Sequence, residues 1–331
     1  MSGIKYMILG GGGSFAIHTA LHLVEKQDTD KIVSVGRNLL REETFSLGLL
    51  KNKKISYHTY HLTYEQDLLL ELIDREKPDY IINYAAQGEG AVSWKNSWRF
   101  FETNSVGLSK LVENLMKRKF LKNFIHIGTS EMYGSTSKPT NEDSPIMPSS
   151  PYAASKVAFD LYLKSINKNL GFNMNIVRPS NAYCSGQLLH RIIPRSFVSI
   201  VKNIKIPLHG GGRAEKSYMH AKDLAEAIYL IIKKGQIGEI YNVGPDKPTS
   251  IKEVVERVAA KFDKNLDEVV EITDDRVGQD SRYWLDTSKI KNTLGWKMKI
   301  DFDSGLDEVK DWVLKYKDDL IKRDFDYIMR G

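Results

Sequence analysis

Residues 4–16 decide the fold and read Ile4-Lys5-Tyr6-Met7-Ile8-Leu9-Gly10-Gly11-Gly12-Gly13-Ser14-Phe15-Ala16. The apolar run 4–9 predicts a β-strand, and the four glycines lead directly into a predicted helix over 14–27. Gly10, Gly13 and Ala16 fit the spacing G-x-x-G-x-x-G/A, in which glycines let the backbone approach a pyrophosphate at a helix N-terminus. An ordinary strand-to-helix turn is the alternative, which the position between a strand and a helix disfavours. We therefore expect a dinucleotide to bind at Gly10, Gly13, Ser14, Phe15 and Ala16.

The segments that follow alternate short apolar runs with amphipathic ones. Strands are predicted at 31–36, 55–60, 79–84, 122–128 and 173–178, and helices at 64–76, 97–119 and 151–168. This strand-helix rhythm is typical of a parallel sheet that is covered by helices on both faces. The expected fold class is α/β, with a doubly wound parallel sheet of the Rossmann type.

The rhythm changes after residue 178, where prolines and the Gly210-Gly211-Gly212 turn interrupt the pattern. A helix at 222–233 and a strand at 239–243 are expected to rejoin the sheet, and further helices are predicted at 250–262, 287–293 and 304–316. We expect a dinucleotide-binding domain in residues 1–178, completed by parts of 220–245. Residues 179–331 would mainly form a smaller, substrate-binding lobe.

The composition excludes several classes of protein. The 48 basic and 42 acidic side chains are interspersed, so the net charge of +6 indicates a solvated surface and no nucleic-acid partner. An apolar run of about eighteen residues is absent, so we expect no membrane span. Cys184 is the only cysteine and the 8 histidines lack metal-ligand spacing, so we expect neither a disulfide nor a metal site. Without a recognisable signal peptide, the expected location is the cytoplasm.

The end of the second predicted strand bears on the choice of dinucleotide. NAD-binding proteins usually carry an acidic residue there, which holds the ribose hydroxyls. This chain has Arg37 and Asn38 after Gly36 instead. Arginine pairs well with a 2′-phosphate, so we expect Arg37 and Asn38 to bind the cofactor and favour NADP over NAD. An exposed loop arginine that binds nothing is the alternative.

Tyr152 and Lys156 lie four residues apart in the predicted helix 151–168, so their side chains share one face. A nearby ammonium favours a phenolate, which would let Tyr152 act as a base near neutral pH. A surface pair without function is the alternative. The pair, however, follows Thr129-Ser130-Glu131, which lies at the carboxyl end of an apolar strand, where such folds bind ligands.

These motifs resemble, in order, those of the extended short-chain dehydrogenases. Besides the glycine turn, the matching segments are Asn83-Tyr84-Ala85-Ala86-Gln87, Thr103-Asn104, 129–134, 150–156 and 178–183. Within that family the chain most resembles the nucleotide-sugar 4,6-dehydratases. Residues 129–131 and 220–223 are similar to the GDP-mannose enzymes, and residues 275–283 to the dTDP-glucose enzymes. The resemblance covers nearly the whole chain.

The resemblance implies a reaction through bound NAD or NADP. Thr129 would hold the sugar 4-hydroxyl, and Tyr152 would take its proton while a hydride leaves C4. Glu131, which distinguishes dehydratases from 4-epimerases, would remove the C5 proton and assist loss of the C6 hydroxyl as water, with Ser130 hydrogen-bonding that hydroxyl. Hydride return to C6 gives a 4-keto-6-deoxy sugar.

The resemblance also implies binding residues and an assembly. Ala85, Ala86, Tyr152 and Lys156 would contact the cofactor. Arg276 would grip the substrate diphosphate, with Gln87, Asn181 and Arg191 as weaker candidates for the same pocket. The run Lys216-Ser217-Tyr218 departs from the commoner Arg-Asp-aromatic run on the nucleotide-sugar side. A homodimer or homotetramer is expected, with helices 97–119 and 151–168 at the interface.

Three hypotheses remain open at this stage. The first is a nucleotide-sugar 4,6-dehydratase. The second is a 4-epimerase or 4-dehydrogenase of the same fold, which needs Tyr152 and Lys156 but not Glu131. The third is a catalytically inactive dinucleotide-binding protein, suggested by the missing acid after the second strand and by His61-Leu62-Thr63 in place of the usual acidic motif after the third. The nucleotide base and the sugar are not determined.

Overall fold

The computed structural model describes residues 3–275 and 280–326. The strands in chain order are β1 (Ile4–Leu9), β2 (Thr29–Gly36), β3 (Ile55–Thr59), β4 (Tyr80–Asn83), β5 (Asn123–Ile127), β6 (Met174–Pro179), β7 (Asn181–Tyr183), β8 (Ile206–His209), β9 (Glu215–Lys216), β10 (Tyr218–His220), β11 (Ile240–Val243), β12 (Thr249–Ser250) and β13 (Val270–Thr273).

The α-helices are α1 (Ser14–Val24), α2 (Glu43–Ser46), α3 (Gln66–Glu76), α4 (Ser97–Phe101), α5 (Leu108–Leu115), α6 (Pro151–Leu170), α7 (Ile192–Val201), α8 (Ala221–Lys234), α9 (Ile251–Ala260), α10 (Leu266–Val269), α11 (Ser288–Leu294), α12 (Phe302–Lys315) and α13 (Lys317–Leu320). Short 3-10 turns include Ser130–Tyr133, and a π-helical segment spans Glu102–Gly107.

Seven strands form one sheet in the order β11-β6-β5-β4-β1-β2-β3, and every neighbouring pair is parallel. The strand order reverses between β1 and β4, so the connections after these strands leave toward opposite faces. This leaves a crevice at their carboxyl ends, which is where open α/β sheets bind ligands. The expected doubly wound Rossmann sheet is confirmed.

The two faces of the sheet bury separate apolar cores, because successive strand residues point to opposite sides. Ile8 packs on one face with α1 and α8, and Met7 packs on the other with α3, α5 and α6. A third core lies in the C-terminal half, where α7, α9 and α12 pack around the parallel pair β8 and β13. Strand β11 returns from that half to pair with β6.

The structure corrects two sequence-based expectations. The predicted helix 97–119 is divided into α4, the π-helical segment and α5, and the Asn104 side chain within that segment bonds the backbone of Gln87 on both N–H and C=O. The sequence pattern does not predict helix α7, because Pro194 interrupts it. Pro194 is the third residue of α7, in the first turn, where a missing N–H costs no intrahelical bond. No helix in the described ranges is long and apolar enough to cross a bilayer.

Helix α6 begins at a side-chain cap that can be tested. Ser150 Oγ accepts a bond of 3.1 Å from the Ala153 N–H, and Pro151 fills the first helical position. We predict that Ser150→Ala lowers the free energy of unfolding by about 1 kcal/mol, because the cap is lost. The control Ser165→Ala, at an exposed position of the same helix, should leave it unchanged or raise it by a few tenths of a kcal/mol. Chemical denaturation measures both, and equal losses would show that the cap contributes nothing.

Candidate active site

The glycine turn between β1 and α1 has the shape that a pyrophosphate requires. Gly10 has a φ of +74°, and a Cβ there would lie 2.6 Å from the Ala85 nitrogen. A Cβ on Gly11 would lie 2.7 Å from Ser34 Cβ. None of the described side chains caps α1, and its first turn holds no acidic residue. The Gly11 and Gly13 N–H groups donate to the Val35 and Gly10 carbonyls at 2.8 and 2.9 Å, which fixes the turn. The uncapped start of α1 leaves a positive helix end beside it, which fits a dinucleotide pyrophosphate.

Tyr57, which the sequence pattern does not single out, packs beside this turn. Arg37 and Asn38 follow β2 as expected, and the Asn38 carbonyl accepts a 2.8 Å bond from the Tyr57 hydroxyl. The same hydroxyl lies 2.7 Å from where a Cβ on Gly12 would be. Tyr57 thus packs over the glycine turn from β3. Its place in an edge strand carries no local sequence signal for this role.

A cavity of about 460 Å³ opens at the carboxyl ends of the sheet strands. It brings together nine of the predicted site residues, namely Phe15, Ala86, Thr129, Ser130, Glu131, Tyr152, Lys156, Asn181 and Arg191. The other predicted cofactor residues lie outside this lining, at the glycine turn or close to it. They are Gly10, Gly13, Ser14, Ala16, Arg37, Asn38 and Ala85.

The described cavity lining does not include Gln87, one of the predicted substrate residues. Gln87 is 3% exposed and outside the cavity lining, because Asn104 clamps its backbone against Ser155 of α6. Its role in substrate binding stays a prediction. Arg276 lies outside the described residues.

Glu131 sits on a short 3-10 turn that Thr129 organises. Thr129 Oγ1 accepts a 3.2 Å bond from the Glu131 N–H, and the Thr129 side chain also bonds Tyr152. A Cβ on Gly90 would lie 3.6 Å from Glu131 Oε2 and 3.9 Å from Tyr152 Cδ1, so the loop at Gly90 covers both groups. Burial raises the pKa of Glu131, while Lys216 and Arg191 oppose the rise. A carboxyl of this kind exchanges protons closer to neutral pH than a solvated one does.

Tyr152 and Lys156 share a face of α6, but the charges around them differ from the expectation. Burial and the Glu131 carboxyl raise the pKa of Tyr152, which is the opposite of the effect expected from a nearby ammonium. Lys156 Nζ donates a 2.7 Å bond to the Ile127 carbonyl, and burial lowers the pKa of Lys156 to about 8. Desolvation therefore has a larger effect on the pKa of Tyr152 and of Lys156 than the attraction between the two groups that their four-residue spacing predicts.

The cavity wall opposite α6 comes from the C-terminal half. Lys216 Nζ donates a 3.0 Å bond to the Asp280 carbonyl and lies 3.5 Å from the ring centroid of Tyr283. The Asp280 carboxylate accepts bonds from the Tyr283 hydroxyl at 2.6 Å and from Ser135 Oγ at 2.7 Å. Burial lowers the pKa of Lys216 to about 8, which shows that this cation is largely shielded from water. A cation in such a position suits an anionic ligand. The unusual run at 216–218 was the available sequence signal.

A second carboxylate of the cavity, Glu89, was missed by sequence reasoning. Its Oε2 lies 3.3 Å from both His190 Nε2 and Arg191 Nη2, and Arg191 Nη2 also donates to the Gly88 carbonyl at 3.0 Å. These contacts join the loop after β4 to the start of α7, across about a hundred residues. No local sequence motif predicts the contact between Glu89 and Arg191, because only folding brings the two residues together.

Comparisons with known proteins agree with this geometry. The family model described as GDP-mannose 4,6 dehydratase matches residues 7–309. The dTDP-D-glucose 4,6-dehydratase of Homo sapiens is 29% identical over 315 residues, which cover 93% of this chain and 89% of the human protein. The trifunctional UDP-glucose 4,6-dehydratase RHM1 of Arabidopsis thaliana is 28% identical over 92% of this chain, which spans only 46% of that plant protein.

One solved structure is also informative. The dTDP-glucose 4,6-dehydratase DesIV of Streptomyces venezuelae, crystallised with NAD and TYD, superposes with a TM-score of 0.89. It is 25% identical, and the match covers 95% of this chain and 98% of DesIV.

The tight turn at Gly10 gives a direct test of dinucleotide binding. We predict that Gly10→Ala protein purifies without stoichiometric dinucleotide, because a methyl group 2.6 Å from the Ala85 nitrogen forces the turn to move. The control is Gly171→Ala, which has a similar φ of +69° but no atom within 4 Å of the new Cβ. The measurement is the amount of dinucleotide that each protein releases on denaturation, identified by mass spectrometry. Full retention in Gly10→Ala would mean that this turn does not hold the cofactor.

Proposed function

The chain belongs to the GDP-mannose 4,6 dehydratase family, and we propose that it is a nucleotide-sugar 4,6-dehydratase. The substrate would be a nucleoside-diphosphate hexose and the product its 4-keto-6-deoxy derivative. One observation carries the proposal: the buried Glu131 carboxyl shares a cavity with Thr129 and Tyr152, which are bonded to each other. Tyr152 and Lys156 alone would suit a 4-epimerase or 4-dehydrogenase, whereas water elimination needs an additional acid-base group.

A nicotinamide dinucleotide fits the residues at the glycine turn. Gly10, Gly13, Ser14, Phe15 and Ala16 would hold its pyrophosphate, and Ala85, Ala86, Tyr152 and Lys156 would contact the half that carries the nicotinamide. When bound in its oxidised form, it would supply positive charge, accept the hydride of C4 and return it to C6. There is no net oxidation, so the cofactor would stay bound through turnover.

Tyr152 would take the proton of the sugar 4-hydroxyl, with Thr129 bonding the same oxygen. The raised pKa of Tyr152 means that the phenol needs positive charge nearby before it works as a base. Lys156, whose pKa of about 8 leaves it mostly cationic at neutral pH, supplies such charge one helical turn further along α6.

Glu131 would carry out the elimination once C4 is a ketone, because the ketone acidifies the C5 proton. The Glu131 carboxylate takes that proton, the C6–O bond breaks, and the departing hydroxyl receives a proton and leaves as water. Ser130 would hydrogen-bond the leaving hydroxyl. The raised pKa of Glu131 suits both directions of this proton transfer near neutral pH.

The test is to incubate the purified protein with GDP-, dTDP-, UDP- and CDP-linked sugars and to weigh the products. We predict loss of one water, about 18 Da, from one nucleotide sugar. In Glu131→Gln, turnover should fall by a factor of about 10²–10⁴ and reduced dinucleotide should accumulate, because C4 oxidation does not need the carboxylate. The exposed Glu113→Gln variant serves as the control.

Other outcomes of the same assay would contradict the proposal. A substrate that is consumed without change of mass identifies a 4-epimerase, and loss of two hydrogens identifies a 4-dehydrogenase. Protein that neither reduces its dinucleotide nor changes any of these sugars would support an inactive, dinucleotide-binding protein.

The substrate diphosphate would lie between the two lobes, held by Arg191 and Arg276, with Asn181 nearby. Lys216 is a further cation of the described cavity wall. We assign residues 1–178, completed by parts of 220–245, to dinucleotide binding and residues 179–331 mainly to the nucleotide sugar. GDP and dTDP are both proposed bases, and the panel distinguishes them.

We propose NADP as the preferred cofactor, with NAD as the alternative that the DesIV complex favours. Arg37 supports NADP, because it follows β2 where an acid would repel a 2′-phosphate. We predict that denatured protein releases NADP, and that Arg37→Ala reduces NADP affinity by about tenfold. Arg75→Ala, an exposed arginine on α3, should change nothing. Release of NAD alone would overturn the NADP assignment and leave the dehydratase proposal intact.

A homodimer or homotetramer is also proposed. Trp98, Phe101, Val106 and Leu161 are exposed apolar side chains on α4, the π-helical segment and α6, and such patches mark association surfaces. A mass in solution of two or four times 37.7 kDa would agree with this. The proposed location is the cytoplasm, which suits the one free cysteine, Cys184.

A further inference from the structure

A buried ion pair lies beneath the cavity and takes no part in the mechanism above. Arg178 Nε, from β6, lies 3.2 Å from Asp160 Oδ2, from α6, and each residue is only 1% exposed. Asp160 follows Lys156 by one helical turn on the buried face of α6. Buried charges cost free energy unless they are paired, so a pair kept in this position calls for a reason other than stability.

The guanidinium of Arg178 connects two segments that carry different parts of the chemistry. Besides Asp160, its Nη1 donates a 2.8 Å bond to the Tyr133 hydroxyl. Tyr133 ends the 3-10 turn that carries Glu131, and its hydroxyl donates to Asn242 Oδ1 at 2.9 Å. One side chain therefore joins the turn of the elimination carboxyl to the helix of Tyr152 and Lys156.

The backbone at Gly128 approaches this pair closely. A Cβ on Gly128, between β5 and Thr129, would lie 3.3 Å from both Arg178 Cγ and Asp160 Oδ2. The ion pair thus runs directly under the chain that enters the Thr129–Glu131 segment. A shift of the pair would displace that segment, because close-packed interiors transmit small displacements.

The second oxygen of Asp160 and the Lys156 ammonium approach the same histidine. Asp160 Oδ1 lies 3.5 Å from His126 Nε2, and Lys156 Nζ lies 3.3 Å from the same nitrogen. His126 Nδ1 is 3.0 Å from Asn83 Nδ2, whose amide is oriented by a bond from the Ala85 N–H to its oxygen. The Asn83 amide therefore donates to His126 Nδ1. The pKa of His126 is lowered well below its usual value by burial and by Lys156 and Arg178, so the imidazole is neutral.

The charge balance at Lys156 follows from these neighbours. Burial lowers the pKa of Lys156, and the Asp160 carboxylate opposes that fall. The charged and titratable groups around this cluster are His126 of β5, Tyr152, Asp160 and Lys164 of α6, Arg178 of β6, Tyr133 of the 3-10 turn, and Glu142, whose carbonyl accepts a 3.1 Å bond from Arg178 Nη1. Among these described groups, Asp160 is the carboxylate whose charge acts on Lys156, so it is the counter-charge of the lysine.

We propose that Asp160 and Arg178 are positioning residues of the dehydratase reaction. Arg178 holds the Glu131 turn in register with the Tyr152–Lys156 helix, so that oxidation at C4 is followed by elimination before the intermediate escapes. Asp160 anchors Arg178 and keeps Lys156 cationic. Neither residue touches the substrate, and the inference rests on the proposed function.

Tyr133→Phe tests the coupling, since it removes one hydroxyl and no charge. In a single turnover with the substrate found in the panel, dinucleotide reduction is followed by absorbance and elimination by product mass. We predict that dinucleotide reduction stays within about twofold of wild type and elimination slows about tenfold. Reduced dinucleotide then accumulates transiently. Equal slowing of both steps, or of neither, would overturn the positioning role of Arg178.

Asp160→Asn tests the charge on Lys156. Lysine is active here as the cation, present below its pKa, and loss of the carboxylate lets it deprotonate at lower pH. We predict that the alkaline limb of dinucleotide reduction moves down by about one pH unit. Asp74→Asn, which breaks the exposed Arg118–Asp74 pair, should leave both the ratio of the two steps and the pH profile unchanged.

A double variant keeps the test decisive should Asp160→Asn fail to fold with Arg178 unpaired. Asp160→Asn combined with Arg178→Gln leaves no unpaired guanidinium, and it should show both the pH shift and the accumulation of reduced dinucleotide. The inference would be overturned if the folded variants kept the wild-type ratio of dinucleotide reduction to elimination and the wild-type pH profile. The proposed function fails separately, when the wild-type protein itself eliminates no water.

Discussion

The parallel hydrogen bonding of β1, β4, β5 and β6 is the constraint on which the rest of the structure depends. Leu9 pairs with Asn83, Asn83 with His126, and Ile127 with Val177, so the carboxyl ends of these strands lie side by side. Each loop that holds a predicted functional residue of the cavity begins at one of these ends. For that reason four segments that are far apart in the chain are neighbours in the fold. They are the glycine turn, the loop at Ala85, the Thr129–Glu131 segment and the Arg178 segment.

Desolvation sets the chemistry of the cavity that this edge creates. It raises the pKa of Glu131 and Tyr152 and lowers the pKa of Lys156 and Lys216, because both changes favour neutral groups. The pKa values of Glu131 and of the two lysines thereby move toward each other, whereas the pKa of Tyr152 moves away from them. The direction for Tyr152 shows that a four-residue spacing to lysine is too little to activate a phenol in a dry site. Charge must also come from groups that burial has not neutralised.

The C-terminal half completes the cavity. Lys216, Asp280 and Tyr283 bring a cation to the wall opposite α6, and the contact of Glu89 with Arg191 joins the loop after β4 to α7. Beneath the same cavity, Asp160 and Arg178 connect α6 to the turn of Glu131. The functional groups of both halves are therefore fixed by contacts that cross between elements.

The sequence by itself determined the features that depend on local order. Strand β1, the glycine turn, the other sheet strands and the Tyr152–Lys156 face of α6 follow from apolar period and residue spacing, which act over a few residues. Only the tertiary structure decided the division of the helix around Asn104, the helical conformation around Pro194, the bonding of the Gln87 backbone to Asn104 and the cations that surround Glu131. These outcomes depend on packing partners distant in the chain. Burial also depends on those partners, so the direction of each pKa shift is a property of the folded protein and not of any segment.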